Sequence, residues 1–224
     1  MNSTVLIIDT SSDAVCVCVG NSFDQATNIV MNEKSRHGEN LFEAISKALL
    51  AQSKSLNEID VIGVGIGPGS FTGLRTGIIA AHSFAHALSI PIVYFSSLEL
   101  IALSEMTGHS AEDGPSIGTS IEVVKDARRK EHYYAKFESR KFDKARLINI
   151  DGVEIATILI RIESEQLIPQ GEIEENIYDH ELCPAGAIEL VQKACVAEIF
   201  ANNFAAQAIY IRKSDAELSW NIKK

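Results

Sequence analysis

The sequence predicts a two-lobed α/β protein in which the second lobe is shortened. Three observations carry that expectation. Residues 61–77, VIGVGIGPGSFTGLRTG, run from a β-branched strand through a glycine turn into a helix, the local plan of an α/β unit. Before this segment come three strand-like runs and an amphipathic stretch. After residue 115 a second series of strand-like runs leads to a late helix and a last apolar run, a degenerate echo of the first series.

Taken in order, residues 5–9 form a short apolar strand. A turn at Ser11, Ser12 and Asp13 separates it from a strand over 14–19, and a weaker strand covers 25–31. Short runs punctuated by turn residues predict an antiparallel meander. Over 38–53 the residues Leu41, Ile45, Ala48 and Leu49 fall on one side of a helix. Residues 61–66 read as a buried strand and 71–88 as a helix that Pro91 stops. Residues 91–95 form another buried strand. Ser96 then caps a helix, with Glu99 three residues on as the partner in a capping box.

The order βββαβαβα is that of the ribonuclease-H-like unit found in the actin, sugar kinase and Hsp70 (ASKHA) group. The polar segment TGHSAEDGP, residues 107–115, marks the expected boundary between an N-terminal lobe, 1–108, and a C-terminal lobe, 109–224. Beyond it, strands are expected over 116–124, 131–137, 147–150 and 155–162. A helix over 185–203 and a strand over 208–212 complete the chain.

Composition narrows the function. The 224 residues are 46% hydrophobic, enough for a proper core, and the net charge is −10. That balance argues against independent nucleic-acid binding, which needs a basic face. No run approaches the roughly 20 apolar residues of a membrane helix. MNSTVLIIDT at the N-terminus lacks a basic leader region, so the expected location is cytoplasmic. Cys16 and Cys18 alternate along a strand, as small core residues do. Neither forms a zinc-ligand pattern with Cys183 or Cys195.

Known phosphate loops do not fit residues 61–77. GxxxxGK[ST] is absent, and GxGxxG fails because Ser70 or Thr72 occupies the last glycine position. The hydrolase pattern GxSxG fails at Pro68. Ser70 is therefore expected to be a helix N-cap and not a nucleophile.

Several motifs together carry a family resemblance. They are IIDTSS (7–12), GVGIGPGSFTGLRTG (63–77), IPIVYFSSLELIA (90–102), KDARRKEHYYAKF (125–137) and IYIRKSDAELSW (209–220). At similar spacing these resemble the bacterial TsaB (YeaZ) family, strongly over the first hundred residues and weakly over the rest.

The resemblance implies a two-lobed ASKHA-type protein that is a non-catalytic partner of the related TsaD, with TsaE as an accessory ATPase. That complex transfers threonylcarbamoyl from its adenylate to the adenosine next to the anticodon of tRNAs reading codons that begin with A. It further implies pairing with TsaD through helices of the N-terminal lobe, homodimers when alone, and only indirect contact with tRNA. The family's Arg-x-His-Ser-Glu run is altered here, since Gly38 follows His37.

The same resemblance places the catalytic relative's metal-binding HxExH on residues 97–101. Here Ser97 and Ile101 take both histidine positions and Glu99 alone remains. Neither a hydroxyl nor an aliphatic side chain replaces imidazole as a ligand, so no metal and no cofactor are expected. His82 and His86 form an i, i+4 pair on the preceding helix, but HExxH is absent.

On that helix Phe71, Leu74, Ile78, Ala81, Ala85 and Leu88 form a seam against the sheet. Arg75, Ile79, His82 and His86 form the neighbouring stripe. Gly73, Gly77 and Ala80 are expected to let another helix approach. With Leu41, Ile45 and Phe71, the stripe residues make up the expected interface. Asp9, Thr10 and Ser11 sit where ASKHA enzymes keep a phosphate loop, with Ser11 in the glycine position. They are the candidate nucleotide contacts. Residues 153–224 hold only Gly171 and Gly186, so a second nucleotide loop is not expected. Asp126 and Arg128 mark a strand-to-strand turn, where a buried or local Asp–Arg pair is expected and contact with a partner or ligand is the alternative. A metal-dependent peptidase or a nucleotide-binding enzyme of the same superfamily is the competing reading.

Overall fold

The computed structural model describes residues 3–32, 37–107, 120–138, 146–150, 153–157, 160–169, 184–198, 200 and 208–209. Strands β1 (Val5–Asp9), β2 (Val15–Gly20) and β3 (Thr27–Met31) form the expected antiparallel meander. Strand β4 (Val61–Gly65) lies parallel to β1, and β5 (Ile92–Phe95) lies parallel to β4. The sheet order is β3-β2-β1-β4-β5. Helix α1 (His37–Ala51) joins the meander to β4 through a short 3-10 turn, Leu56–Glu58. Helix α2 (Phe71–Leu88) crosses from β4 to β5, and α3 (Ser97–Thr107) follows β5.

Strand periodicity decides which side chains meet which helices. Leu6, Ile8, Val15, Val17, Ile62 and Val64 point to one face and pack with Leu41, Ile45, Leu74 and Ile78 of α1 and α2. Val5, Ile7, Cys16, Cys18, Val93 and Phe95 point to the other. That second face is covered by α3 and by α4 (Ile188–Val196), which returns from the C-terminal half of the chain. Both faces of the sheet are therefore enclosed, and β1, β2 and β4 read as nearly continuous apolar runs. Cys16 and Cys18 are core residues of the α3/α4 side, as their alternation predicts.

The fit of α4 is close. A Cβ added to Gly63 would stand 2.5 Å from Val191 Cγ2. The Ala185 N–H donates to Asn28 Oδ1 at 2.8 Å, and Gln192 Nε2 donates to the carbonyls of Ser3 and Asn21 at 3.2 and 2.8 Å. The helix expected over 185–203 is shorter than that. A 3-10 turn, Pro184–Ala187, precedes α4, which ends at Val196.

Strands β6 (Ser120–Asp126), β7 (Glu131–Glu138) and β10 (Ile160–Pro169) form a second, antiparallel sheet of order β10-β7-β6. A hairpin, β8 (Arg146–Ile150) and β9 (Val153–Thr157), stands apart in pairing. The single strand expected over 155–162 is in fact the end of β9 and the start of β10. The run ATILIRI contains no turn residue, so hydrophobic periodicity cannot mark the break. Val123, Tyr133, Ala135 and Phe137 of this sheet join the core that α3 and α4 share with the first sheet. Residues 108–115 of the expected boundary loop, Cys183, and most of the last strand and tail motif lie outside the described residues.

Candidate interface and the polar cluster between the lobes

The glycine turn spends its hydrogen-bonding groups on the protein itself. The N–H of Ile66 donates to the Phe95 carbonyl at 3.1 Å, and the Ile66 carbonyl accepts from Ile209 N–H at 2.8 Å. Gly67 has φ +106°, the left-handed region that favours glycine. Its N–H donates to Ser97 Oγ at 3.1 Å and its carbonyl accepts from Ser97 N–H at 2.8 Å. Ser70 caps α2 as expected: its Oγ accepts from Gly73 N–H at 3.2 Å. The Ser70 N–H donates to the Ser11 carbonyl at 2.7 Å.

Gly73 and Gly77 face inward, which corrects the expectation that they admit a partner helix. Added Cβ atoms would meet the Thr10 carbonyl oxygen at 2.1 Å and Thr10 Oγ1 at 2.3 Å. Their smallness lets α2 press on the β1–β2 turn. Thr10 Oγ1 completes the contact by donating to the Gly73 carbonyl at 2.8 Å.

The outward face of α2 carries exposed apolar residues among polar ones and lies beside α1. Ile79 is 62% exposed, Phe42 of α1 56% and Phe71 38%. Burial overturns the place given to Phe71 in the sheet-facing seam, and Leu88 is half-buried. The Arg75 guanidinium carbon lies 3.7 Å from the Phe71 ring centroid, a cation–π contact. Phe42 meets Phe84 edge to face at 5.9 Å. Between the helices is a groove of about 430 Å³ lined by Leu41, Phe42, Phe71, Arg75, Ile79 and Phe84, among others.

Leu41 and Ile45, expected as interface residues, are enclosed in the core beneath this groove, so only the rim of Leu41 reaches it. Phe42 takes the outward place. It went unnoticed in the sequence, although an aromatic residue one position off the Leu41–Ile45–Leu49 stripe is a readable signal. His82 and His86 do not share one environment. His86 is exposed, whereas the half-buried His82 turns its Nε2 to the Tyr94 hydroxyl on β5. Burial holds the His82 pKa below its ordinary value and pushes the Tyr94 hydroxyl up to about 12. The half-buried Cys195 thiol is pushed up to about 11, chiefly by burial, which leaves it a weak nucleophile.

Behind α2 a polar cluster joins the lobes. Asp9 is fully buried. Its Oδ1 accepts from Ser11 N–H at 2.9 Å and Ser11 Oγ at 2.6 Å, and its Oδ2 accepts from Ser97 Oγ at 2.6 Å. Lys125 Nζ on β6 donates to Ser11 Oγ at 2.5 Å. Ser96 Oγ donates to Glu165 Oε1 on β10 at 2.5 Å, while capping Leu98 and Glu99 N–H groups at 3.2 and 3.4 Å. The Glu99 carboxylate accepts from Thr157 Oγ1 on β9 at 2.7 Å. Ser96 thus caps the start of α3 as expected, and Glu99 is a cross-lobe acceptor. Arg128 corrects another expectation. Asp126 Oδ1 accepts its backbone N–H at 2.7 Å, but the guanidinium pairs with Asp13 of the first lobe at 2.6 Å.

Positions 97–101 do not fit a metal. Ser97 is tied to Asp9 and Gly67, Ile101 is core, and Glu99 serves Thr157. Among the described residues, no group of three or more His, Cys, Asp or Glu side chains is placed to hold a metal ion. No described helix is long and apolar enough to cross a membrane.

A five-stranded sheet in this order, helices on both faces and a smaller antiparallel sheet packed beside α3 define an ASKHA-like protein. The family model described as TsaD, tRNA N6-adenosine threonylcarbamoyltransferase, matches residues 27–188. The chain belongs to this family and, within it, to the TsaB/YeaZ group. An uncharacterized protein of Mycobacterium tuberculosis is 36% identical over 140 residues, which cover 60% of this chain and 59% of the relative. The Haemophilus influenzae protein named tRNA threonylcarbamoyladenosine biosynthesis protein TsaB is 29% identical over 140 residues, 62% of this chain and 56% of the relative. The chain thus spans somewhat over half the length of these curated relatives. The solved structure of YeaZ from Pseudomonas aeruginosa superposes with a TM-score of 0.68 at 19% identity, covering 93% of this chain and 99% of that one.

Proposed function

We propose that this chain is a non-catalytic subunit in tRNA threonylcarbamoyladenosine biosynthesis, pairing with a TsaD relative through the α1/α2 face and working with a TsaE-type ATPase. The relatives named TsaB support the pathway. The observation that carries the pairing is the exposed apolar strip of Phe42, Phe71 and Ile79 with Arg75 stacked at its edge. Aromatic and arginine anchors around a groove are the composition of a protein interface core. A helix pair of the TsaD relative is the occupant, and without that partner a second copy of this chain takes the same face.

The non-catalytic reading rests on residue chemistry at α3. The positions that the metal motif would need are built into the interlobe cluster and the core. The atoms of Asp9, Thr10 and Ser11 that would meet a phosphate bond to one another, to Gly73, to Ser97 and to Lys125.

Mixing the chain with its TsaD relative should give a defined heterodimer by size-exclusion chromatography with light scattering. Threonylcarbamoyl transfer to tRNA by the TsaD relative, TsaE relative and ATP should require this chain. Two proteins that stay apart at micromolar concentration with ATP and the TsaE relative present would sink the reading.

A further inference from the structure

Lys125 is a lysine with 8% of its surface exposed, and the proposed function gives it no part in docking. Burying an ammonium group is costly unless acceptors replace its water. Two do so here. Nζ donates to Ser11 Oγ at 2.5 Å and to the Pro68 carbonyl at 3.5 Å. The Ser11 hydroxyl donates onward to Asp9 Oδ1 at 2.6 Å. An ammonium, a hydroxyl and a carboxylate in line polarise one another and strengthen each bond.

Both acceptors sit at the root of α2. The Ser11 carbonyl accepts the N–H of Ser70, the N-cap, at 2.7 Å, and Pro68 lies two residues before that cap. Thr10, next to Ser11, is clasped by Gly73 and Gly77. One second-lobe side chain therefore touches both first-lobe segments that meet where α2 begins. The first turn of α2 carries Phe71, and the next turn carries Arg75.

We infer that Lys125 is a positioning residue for the α1/α2 docking face, bracing the start of α2 from the second lobe so that Phe71 and Arg75 are held in place. This inference rests on reading that face as the docking surface. Ile79, two turns further along, is held through Ile78 in the sheet core and is independent of the brace. The brace also links two events. If the seating of the second lobe favours docking, docking favours that seating by the same factor.

The test begins with the full chain alone. Hydrogen exchange at the amides of Ser70, Gly73 and Leu74 is compared between wild type and Lys125→Met, which keeps the stem and removes the charge. Exchange there should quicken on the order of tenfold to a hundredfold, the value of a charged buried hydrogen bond, while α1 stays unchanged. Ser11→Ala should reproduce the effect, and the double variant should add nothing to it. Ser11→Ala carries the same test if Lys125→Met does not fold. Unchanged exchange at the start of α2, or equal acceleration in α1, overturns the brace.

Pairing is then read separately. Lys125→Met should weaken binding to the TsaD relative about tenfold, and Ile79→Glu should abolish it. If Lys125→Met leaves affinity unchanged while Ile79→Glu abolishes pairing, the positioning role falls and the docking face stands. If Ile79→Glu has no effect, the docking face itself falls, whatever the exchange data say of the brace.

Discussion

Gly73 and Thr10 are locked together: Thr10 Oγ1 donates to the Gly73 carbonyl at 2.8 Å, and the Thr10 carbonyl fills the space a Gly73 side chain would need. An added Cβ would stand 2.1 Å from that backbone oxygen. Backbone cannot swing aside as a flexible side chain can. Gly73→Ala should therefore destabilise the protein by about 1–3 kcal/mol, despite the roughly 1 kcal/mol that alanine gains over glycine within a helix. Gly77→Ala should cost less, since it meets the Thr10 hydroxyl, and Thr10→Ala should relieve it. Gly38→Ala, with nothing within 4 Å, should be neutral or stabilise by up to about 1 kcal/mol. Urea denaturation of the four variants checks the order.

The outward face predicts binding defects without stability defects. Ile79→Glu and Phe42→Glu alter exposed positions, so their melting temperatures should stay near wild type. Each should lower affinity for the TsaD relative at least about tenfold, as loss of an interface anchor does. Leu50→Glu, also exposed on α1 but outside the groove, should change neither quantity. Calorimetric titration and thermal melts of the same samples separate the two effects.

Ser97 should matter for folding where a metal ligand would matter for chemistry. Its hydroxyl donates to Asp9 Oδ2 at 2.6 Å and accepts from Gly67 N–H at 3.1 Å, all within the buried cluster. Ser97→Ala strands both partners and should cost about 1–3 kcal/mol. Denaturant titration measures that loss. A variant as stable as wild type would show that the cluster is not a structural tie.

The exposed cross-lobe pair should contribute far less than the buried one. Arg128 and Asp13 lie 2.6 Å apart, but their side chains are 71% and 38% exposed. Water screens such a pair, so Arg128→Ala should change stability by less than about 1 kcal/mol. Raising the salt concentration should erase what difference there is. A larger, salt-insensitive loss would contradict the reading of Arg128 and Asp13 as a water-screened pair.

His82 gives a pH signature. Burial lowers its pKa in the folded chain below the ordinary 6.5. The unfolded chain therefore takes up the proton first as pH falls. The stability associated with neutral His82 is complete above about pH 6.5 and declines below it until the folded pKa is reached. Protonation also makes both ring nitrogens donors, so the Tyr94 hydroxyl can then only accept from Nε2. Wild type should lose melting temperature between pH 7 and 5 more steeply than His82→Gln, which cannot titrate. Parallel curves for the two proteins would rule this out.

The elements of the first lobe were legible because each follows a local rule. Alternation in LIID and VCVCV, the Ser70 cap ahead of α2, and Pro91 after it are read residue by residue. The site was less legible. Periodicity placed Arg75 and Ile79 outward correctly, but it placed Phe71 in the seam and Leu41 and Ile45 at the surface of the interface. A helical wheel orders residues around an axis and does not say how deep the neighbouring helix sits. The glycines misled for the same reason. Gly73 and Gly77 announce a close approach, but whether to a partner or to Thr10 depends on residues far away in sequence.

By itself the sequence determined the βββαβαβα order, the turn that launches α2, and the family to which the motifs belong, because each depends on neighbours along the chain. Only the tertiary structure decided what the polar residues at α3 and β6 do. Ser97 meets Asp9 across 88 positions and Lys125 meets Ser11 across 114. No local pattern encodes such pairs; the burial of both lobes against one core brings them together and makes their partners obligatory.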